Sequence, residues 1–280
     1  MVSRTDPEPS KHQRRAARRR RRREKTVAVL PTLLTLANAV CGFFSIFFAS
    51  RGIDSSMPMD WSPFTYGALF IFLGMVCDGL DGRVARLTGA TSDLGEQLDS
   101  MADMVTFGVA PAFLAVRIAG VQAPFVSDIG DDWFGRITLV IAAIYVACAA
   151  LRLARFNLEV ESSAAEDHVS FTGLPTPGAA GAVASVVLLH QHILHDWVAE
   201  HWRAQMAAVA AVAVLFLTAF AMVSRLRYVH VINRYLRGQA PFEYIVGVAI
   251  VGLLLAIHLQ GVVAAGFVLY AISAPVAWCV

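Results

Sequence analysis

Asp78 and Asp81 stand three residues apart, and Asp99 and Asp103 stand four apart. Either spacing puts both carboxylates of a pair on one face of an α-helix. Two such helices facing each other would gather four carboxylates into one pocket. That much like charge beside hydrocarbon is prohibitive unless something neutralises it. A divalent cation is the simplest answer, and an all-oxygen donor set suits Mg2+ or Mn2+ better than Zn2+. Four carboxylates can hold two ions, and two ions close together clamp the oxygens of a phosphoryl group during transfer. Gly79, Gly82 and Gly95 clear side chains from the same stretch, so that a backbone or a ligand can come close. Arg86, one helical turn beyond Gly82, can pair with a phosphate or with the carboxylates themselves. Asp93 and Glu96 read as interfacial side chains turned to water.

The elements that must carry these residues are membrane helices. The chain is 57% hydrophobic and 16% charged, with a mean hydropathy of +0.59. Apolar runs cover about 28–50, 62–86, 94–119, 134–155, 176–194, 204–224, 242–259 and 261–279. Most approach the roughly 20 residues a helix needs to cross a bilayer, and in hydrocarbon such runs pair their backbone groups only as helices. The expected fold is therefore an all-α polytopic bundle with about eight crossings. Asp78 to Asp103 then bracket a short polar loop between the second and third crossings.

Charge sets the expected orientation. Eleven of the 23 Lys and Arg lie in the first 25 residues, including the run Arg18 to Arg23. No short apolar core with a small-residue cleavage site follows, so this block does not read as a signal peptide. It reads as a disordered basic tail, residues 1–26, which holds the N-terminus in the cytoplasm and attracts anionic headgroups; no nucleic-acid partner is expected. Arg83, Arg86, Arg152, Arg155, Arg225, Arg227, Arg234 and Arg237 fall on the side of the tail, against Arg51, Arg117, Arg136 and Arg203 opposite. The aspartates and both termini are thus expected at the cytoplasmic face of a cell (inner) membrane. The four cysteines are scattered singly through apolar segments and form no C-x-x-C pair, so they read as small buried residues. The run "GFFSIFF" reads as lipid-facing bulk.

The full pattern is Asp78-x2-Asp81-Gly82-x2-Ala85-Arg86-x8-Gly95-x3-Asp99-x3-Asp103. It resembles the signature of the CDP-alcohol phosphatidyltransferases at every position. That resemblance implies a core of six membrane helices, here 27–240, followed by a C-terminal hairpin over 241–280, and usually a homodimer. It implies metal ligation by Asp78, Asp81 and Asp99, and by Asp103, which also serves as general base. It further implies that Gly82, Arg86 and Ser92 contact the CDP moiety.

Three more stretches, "PTLLTLANAVCGFFSI" from Pro31, "RLARFN" from Arg152 and "FTGLPTPGAA" from Phe171, are similar to the membrane phosphatidylserine synthases of that family. Thr32 departs from the Asn that members often carry at that point. The implied reaction joins CDP-diacylglycerol to L-serine among the membrane lipids, with Mg2+ or Mn2+. Arg152, Arg155, Arg225 and Arg227 are candidates for the serine carboxylate or a phosphate oxygen. Competing readings are the same chemistry on glycerol 3-phosphate or inositol phosphate, and a cation transporter. A transporter should carry its acids near mid-membrane rather than around a cytoplasmic loop.

Overall fold

The computed structural model describes residues 11–51, 61–88, 93–122, 133–162, 171–192, 200–224, 227–228, 266–267 and 271. They form α1 (Lys11–Ser50), α2 (Pro63–Thr88), α3 (Asp93–Asp103), a π turn (Met104–Val109), α4 (Ala110–Gln122), α5 (Trp133–Ser162), α6 (Thr176–His192) and α7 (Glu200–Val223). A two-residue antiparallel pair, β1 (Phe171–Thr172) and β2 (Arg227–Tyr228), is the one departure from helix in that order. Five helical stretches are long and apolar enough to cross a membrane: Leu30–Ser50, Pro63–Ala85, Leu94–Gly120, Trp133–Leu158 and Gln205–Val223. α6 is a shorter apolar helix. The protein is a polytopic helical membrane protein: five of the first six apolar runs correspond to a stretch long enough to cross, and the run 176–194 corresponds to the shorter α6. The expected runs 242–259 and 261–279 lie outside the described residues, apart from Gly266, Phe267 and Ala271.

One expectation needs correction. Residues 11–26 are not irregular, because α1 begins at Lys11 and runs unbroken for 40 residues. Arg, Lys, Gln, Glu and Ala are all good helix formers, and an apolar helix already nucleated downstream extends readily through them.

α1 packs chiefly on α2. Part of that contact is aromatic: Phe44 and Phe48 stack on Phe70 at 5.3 and 5.4 Å, and Phe48 stacks on Tyr66 at 5.4 Å. Within the "GFFSIFF" run, Phe44 and Phe48 join the stack, Phe44 while still exposed, and Phe43 and Phe47 are exposed as expected of lipid-facing bulk. Elsewhere the helices meet through small residues. Ala110, Ala112, Ala115, Ala179, Ala180, Ala184, Ala211 and Ala219 are all buried in the core formed by α4, α6 and α7. In lipid, where apolar side chains gain little by leaving their neighbours, close backbone packing of this kind holds helices together.

The "FTGLPTPGAA" stretch has a structural task. Gly173 takes φ +88°, which L side chains rarely adopt, and a Cβ there would collide with the Met222 carbonyl oxygen. The turn lets the Leu174 N–H donate to the Ala221 carbonyl at 3.0 Å. This pins the start of α6 to the end of α7.

Candidate functional site: a carboxylate cluster at the α1–α2–α3 end

α2 brings Asp78 and Asp81 to its C-terminal turns, and α3 carries Asp99 and Asp103 towards its own end. Carboxylate oxygens of Asp78, Asp99 and Asp103 come within 4.8 Å of one another. Two consecutive helices thus converge on one point, each through the face its spacing defines. Asp81 lies close enough to act coulombically on the other three, but its carboxylate stands outside the tight group. It is 4% exposed and turned towards α1, with Oδ2 3.0 Å from Thr35 Oγ1. That hydroxyl also lies 3.1 Å from the Pro31 carbonyl oxygen. With a single proton, Thr35 donates to one of the two at a time.

The second donor from α1 was not legible as a site residue. Asn38, fully buried, donates from Nδ2 to Asp103 Oδ1 at 2.9 Å. Its main-chain carbonyl accepts from Thr106 Oγ1 at 2.8 Å. Thr35 and Asn38 are three residues apart on one face of α1, so one helix supplies a donor to each motif helix. The clue in the sequence is two polar residues at helical spacing inside an apolar run. Their partners, 46 and 65 residues away, cannot be deduced from it.

Helix contact here is close because of glycine. A Cβ on Gly74 would lie 2.5 Å from Thr106 Cγ2 and 2.9 Å from Asn38 Oδ1. A Cβ on Gly42 would lie 2.9 Å from the Thr106 Cα. By contrast, a Cβ on Gly79 or Gly82 would meet nothing within 4 Å among the described residues. The site is tight on its α1 side.

Immediately after Asp103 the helix widens into the π turn, where the Ala110 N–H donates to the Val105 carbonyl. Such turns leave carbonyls short of partners and are frequent at functional sites. The hydroxyl of the fully buried Tyr145, on α5, donates to the Phe107 carbonyl at 3.0 Å. α5 also reaches α3 beside the cluster. Asn157 Nδ2 donates to Ser100 Oγ at 2.9 Å, next to Asp99. The "RLARFN" stretch thereby ends on the motif helix.

The other sequence candidates divide. Arg152 is buried on α5, with its guanidinium 5.6 Å from the Phe156 ring centroid, and Arg155 is half-buried on the same helix. Arg86 lies in α2 one turn beyond Gly82, and Arg227 is in β2. Ser92 and Arg225 lie outside the described residues.

The donor set fits a divalent cation. It consists of carboxylate oxygens, and one of them, Asp99 Oδ1, is buried with no hydrogen-bond partner among the described residues. A buried anionic oxygen left in that state is costly. Cation ligation would satisfy it, and would offset the mutual repulsion of the three carboxylates.

A polytopic helical membrane protein with a carboxylate cluster between its second and third crossings is the class that fold and site define. The chain belongs to the CDP-alcohol phosphatidyltransferase family, whose profile matches residues 28–218. Divalent metals are general in that family. Among curated proteins it is similar to CDP-diacylglycerol–serine O-phosphatidyltransferases. That of Helicobacter pylori (strain ATCC 700392 / 26695) is 38% identical over 161 residues, covering 58% of each chain. That of Bacillus subtilis (strain 168) is 34% identical over 166 residues, covering 59% of this chain and 78% of the relative. The Saccharomyces cerevisiae protein is 38% identical over 148 residues, covering 51% and 48%. The alignment thus spans less than two thirds of the Helicobacter relative.

Proposed function

We propose that the protein transfers the phosphatidyl group of CDP-diacylglycerol to the hydroxyl of L-serine, forming phosphatidylserine and releasing CMP. The observation that carries this is the convergence of Asp78, Asp99 and Asp103 in a member of a family defined by that transfer. Serine is favoured as acceptor because the similar proteins are named for it. The three stretches from Pro31, Arg152 and Phe171 point the same way.

CDP-diacylglycerol lies with its acyl chains in lipid and its pyrophosphate at the carboxylate cluster. Asp78, Asp99 and Asp103 would hold a divalent ion, Mg2+ or Mn2+, and Asp81 beside them would contribute to a second. Such ions would supply positive charge to offset that of the pyrophosphate and of the departing CMP. Gly82 leaves room for the nucleotide, and Arg86 and Ser92 contact it. Asp103 takes the proton of the serine hydroxyl as the oxygen bonds to the lipid-side phosphorus. The bond from that phosphorus to the CMP oxygen breaks, and CMP leaves as the anion. Serine brings a carboxylate of its own, and one of Arg152, Arg155, Arg225 and Arg227 meets it. The reaction faces the cytoplasm of the cell membrane, on the side of the basic N-terminal segment, and the protein works as a homodimer.

An acceptor panel tests the reading. Purified protein with CDP-diacylglycerol and Mg2+ or Mn2+ is expected to release CMP with L-serine, and little with glycerol 3-phosphate or inositol phosphate. CMP release with glycerol 3-phosphate but none with serine would leave the family chemistry standing and remove the serine assignment.

A further inference from the structure

We propose that Asn38 is a positioning residue for Asp103, fixing that carboxylate so that one oxygen belongs to the protein and the other to the reacting site. The proposal rests on the reading of Asp103 as the group that takes the acceptor's proton. Asn38 is fully buried, and its Nδ2 donates to Asp103 Oδ1 at 2.9 Å. A carboxylate has two acceptor oxygens, so this bond commits Oδ1 and leaves Oδ2 for the cluster.

Two neighbours surround the residue, one at its main chain and one at its amide. The Thr106 hydroxyl binds the Asn38 main-chain carbonyl at 2.8 Å, so α1 is fastened to the π turn three residues past Asp103. Gly74 of α2 closes the other side, where a Cβ would stand 2.9 Å from Asn38 Oδ1. There is no room for the side chain to swing towards α2. The sense of the amide is set as well. Reversed, it would place its oxygen against the Asp103 oxygen, two acceptors face to face. In the orientation observed, Asn38 Oδ1 is buried without a hydrogen-bond partner among the described residues. The side chain thus accepts an unsatisfied oxygen in order to keep its N–H on Asp103, which is the mark of a bond that matters more than its own local energy. Proton transfer needs Asp103 held to a fraction of an ångström, and supporting shells of this kind provide that precision.

The test uses the full-length protein, the acceptor that works for the wild type, and single-turnover CMP release with enzyme in excess, so that slow variants are resolved. Asn38→Ala is expected to slow the chemical step about 10–100-fold, in the range typical of groups that orient a catalytic ligand. Its KM for CDP-diacylglycerol should stay within about threefold, because the loss falls on the transition state. Mn2+ affinity, read by electron paramagnetic resonance on the protein alone, should fall by less than about tenfold, since Asp78 and Asp99 remain. Asn38→Ala combined with Asp103→Asn should be no slower than Asp103→Asn by itself, because a residue acting through another adds nothing once that one is gone. Thr106→Val removes the bond to the Asn38 main chain but not the one from its amide. It should lower the melting temperature while keeping the rate within about threefold. If Asn38→Ala does not accumulate as folded protein, Asn38→Ser serves, since it fits within the same buried space but is too short to reach Asp103, and the same loss is expected.

An unchanged rate in the Asn38 variant, a further loss in the double variant, or an equal loss in Thr106→Val would each overturn the proposal. A wild-type protein that releases CMP with no alcohol would sink the proposed reaction, and the role of Asn38 with it.

Discussion

The third crossing has two halves built on different rules. Towards the site, Asp93–Asp103 meets its neighbours through hydrogen bonds and charge: Asn38 on Asp103, Asn157 on Ser100, and carboxylate against carboxylate. Beyond the π turn, Ala110–Gln122 meets its neighbours through Ala110, Ala112, Leu114, Ala115, Ile118 and Ala119, all buried. The second half keeps backbones close by having almost no side chain in the way. The first half spends polar groups on orientation. Substitutions in the two halves should therefore fail in different ways, one losing chemistry with the fold intact and the other losing the fold first.

The largest effect is expected from Asp99→Asn. It removes the charge of one member of the proposed ligand set and leaves a weaker oxygen donor in its place. CMP release should be abolished and Mn2+ binding weakened, while the melting temperature without metal should hold or rise as repulsion is relieved. Retained activity in Asp99→Asn, or in excess chelator, would break the contrast at its strongest point. Leu114→Ala probes the other half. Leu114 is fully buried, and such truncations cost about 2–5 kcal/mol. Thermal unfolding in detergent should show that loss, with the rate per folded molecule unchanged.

Gly74→Ala sharpens the comparison where helix contact and site coincide. Its Cβ would press on Thr106 and on the Asn38 amide, an overpacking cost of about 1–3 kcal/mol. Activity and stability should fall together. The smallest effect is expected from Tyr145→Phe, which leaves the buried Phe107 carbonyl without its donor at about 1–3 kcal/mol. A lowered melting temperature with little change in rate would place Tyr145 with the packed half.

The carboxylate cluster was legible because both parts of it are local. The i, i+3 and i, i+4 spacings fix a face on each helix, and repulsion near lipid demands a shared counter-ion. The five crossing helices among the described residues are legible for an equally local reason, the length of their apolar runs. What remained hidden depends on contacts between distant segments. Thr35 and Asn38 look like incidental polar residues until α1 is packed on α2 and α3. Asp81 shares its motif with Asp78, yet it turns to Thr35 rather than into the tight group. The stacking of Phe44 and Phe48 on Phe70 follows from which face α2 covers, which the run itself does not encode. The helix at Lys11–Thr26 was read as irregular from its charge, although its residue types favour helix.

The π turn at Met104–Val109 works as a phase shifter. An α-helix turns by about 100° per residue, and a π turn takes in one residue more than the α-helical turn it replaces. Without it, the crossing would keep a single angular register from Asp99 to Ala119. Its carboxylate face and its small-residue face would then be locked at whatever angle the spacing dictates. The added residue lets the two faces be aimed separately, Asp99 and Asp103 at α1 and α2, and the alanines at α5 and α7. Removing one residue from Met104–Val109 would thus rotate one half of the crossing against the other by roughly a quarter turn. The aspartates would then be misdirected although none of them had been altered.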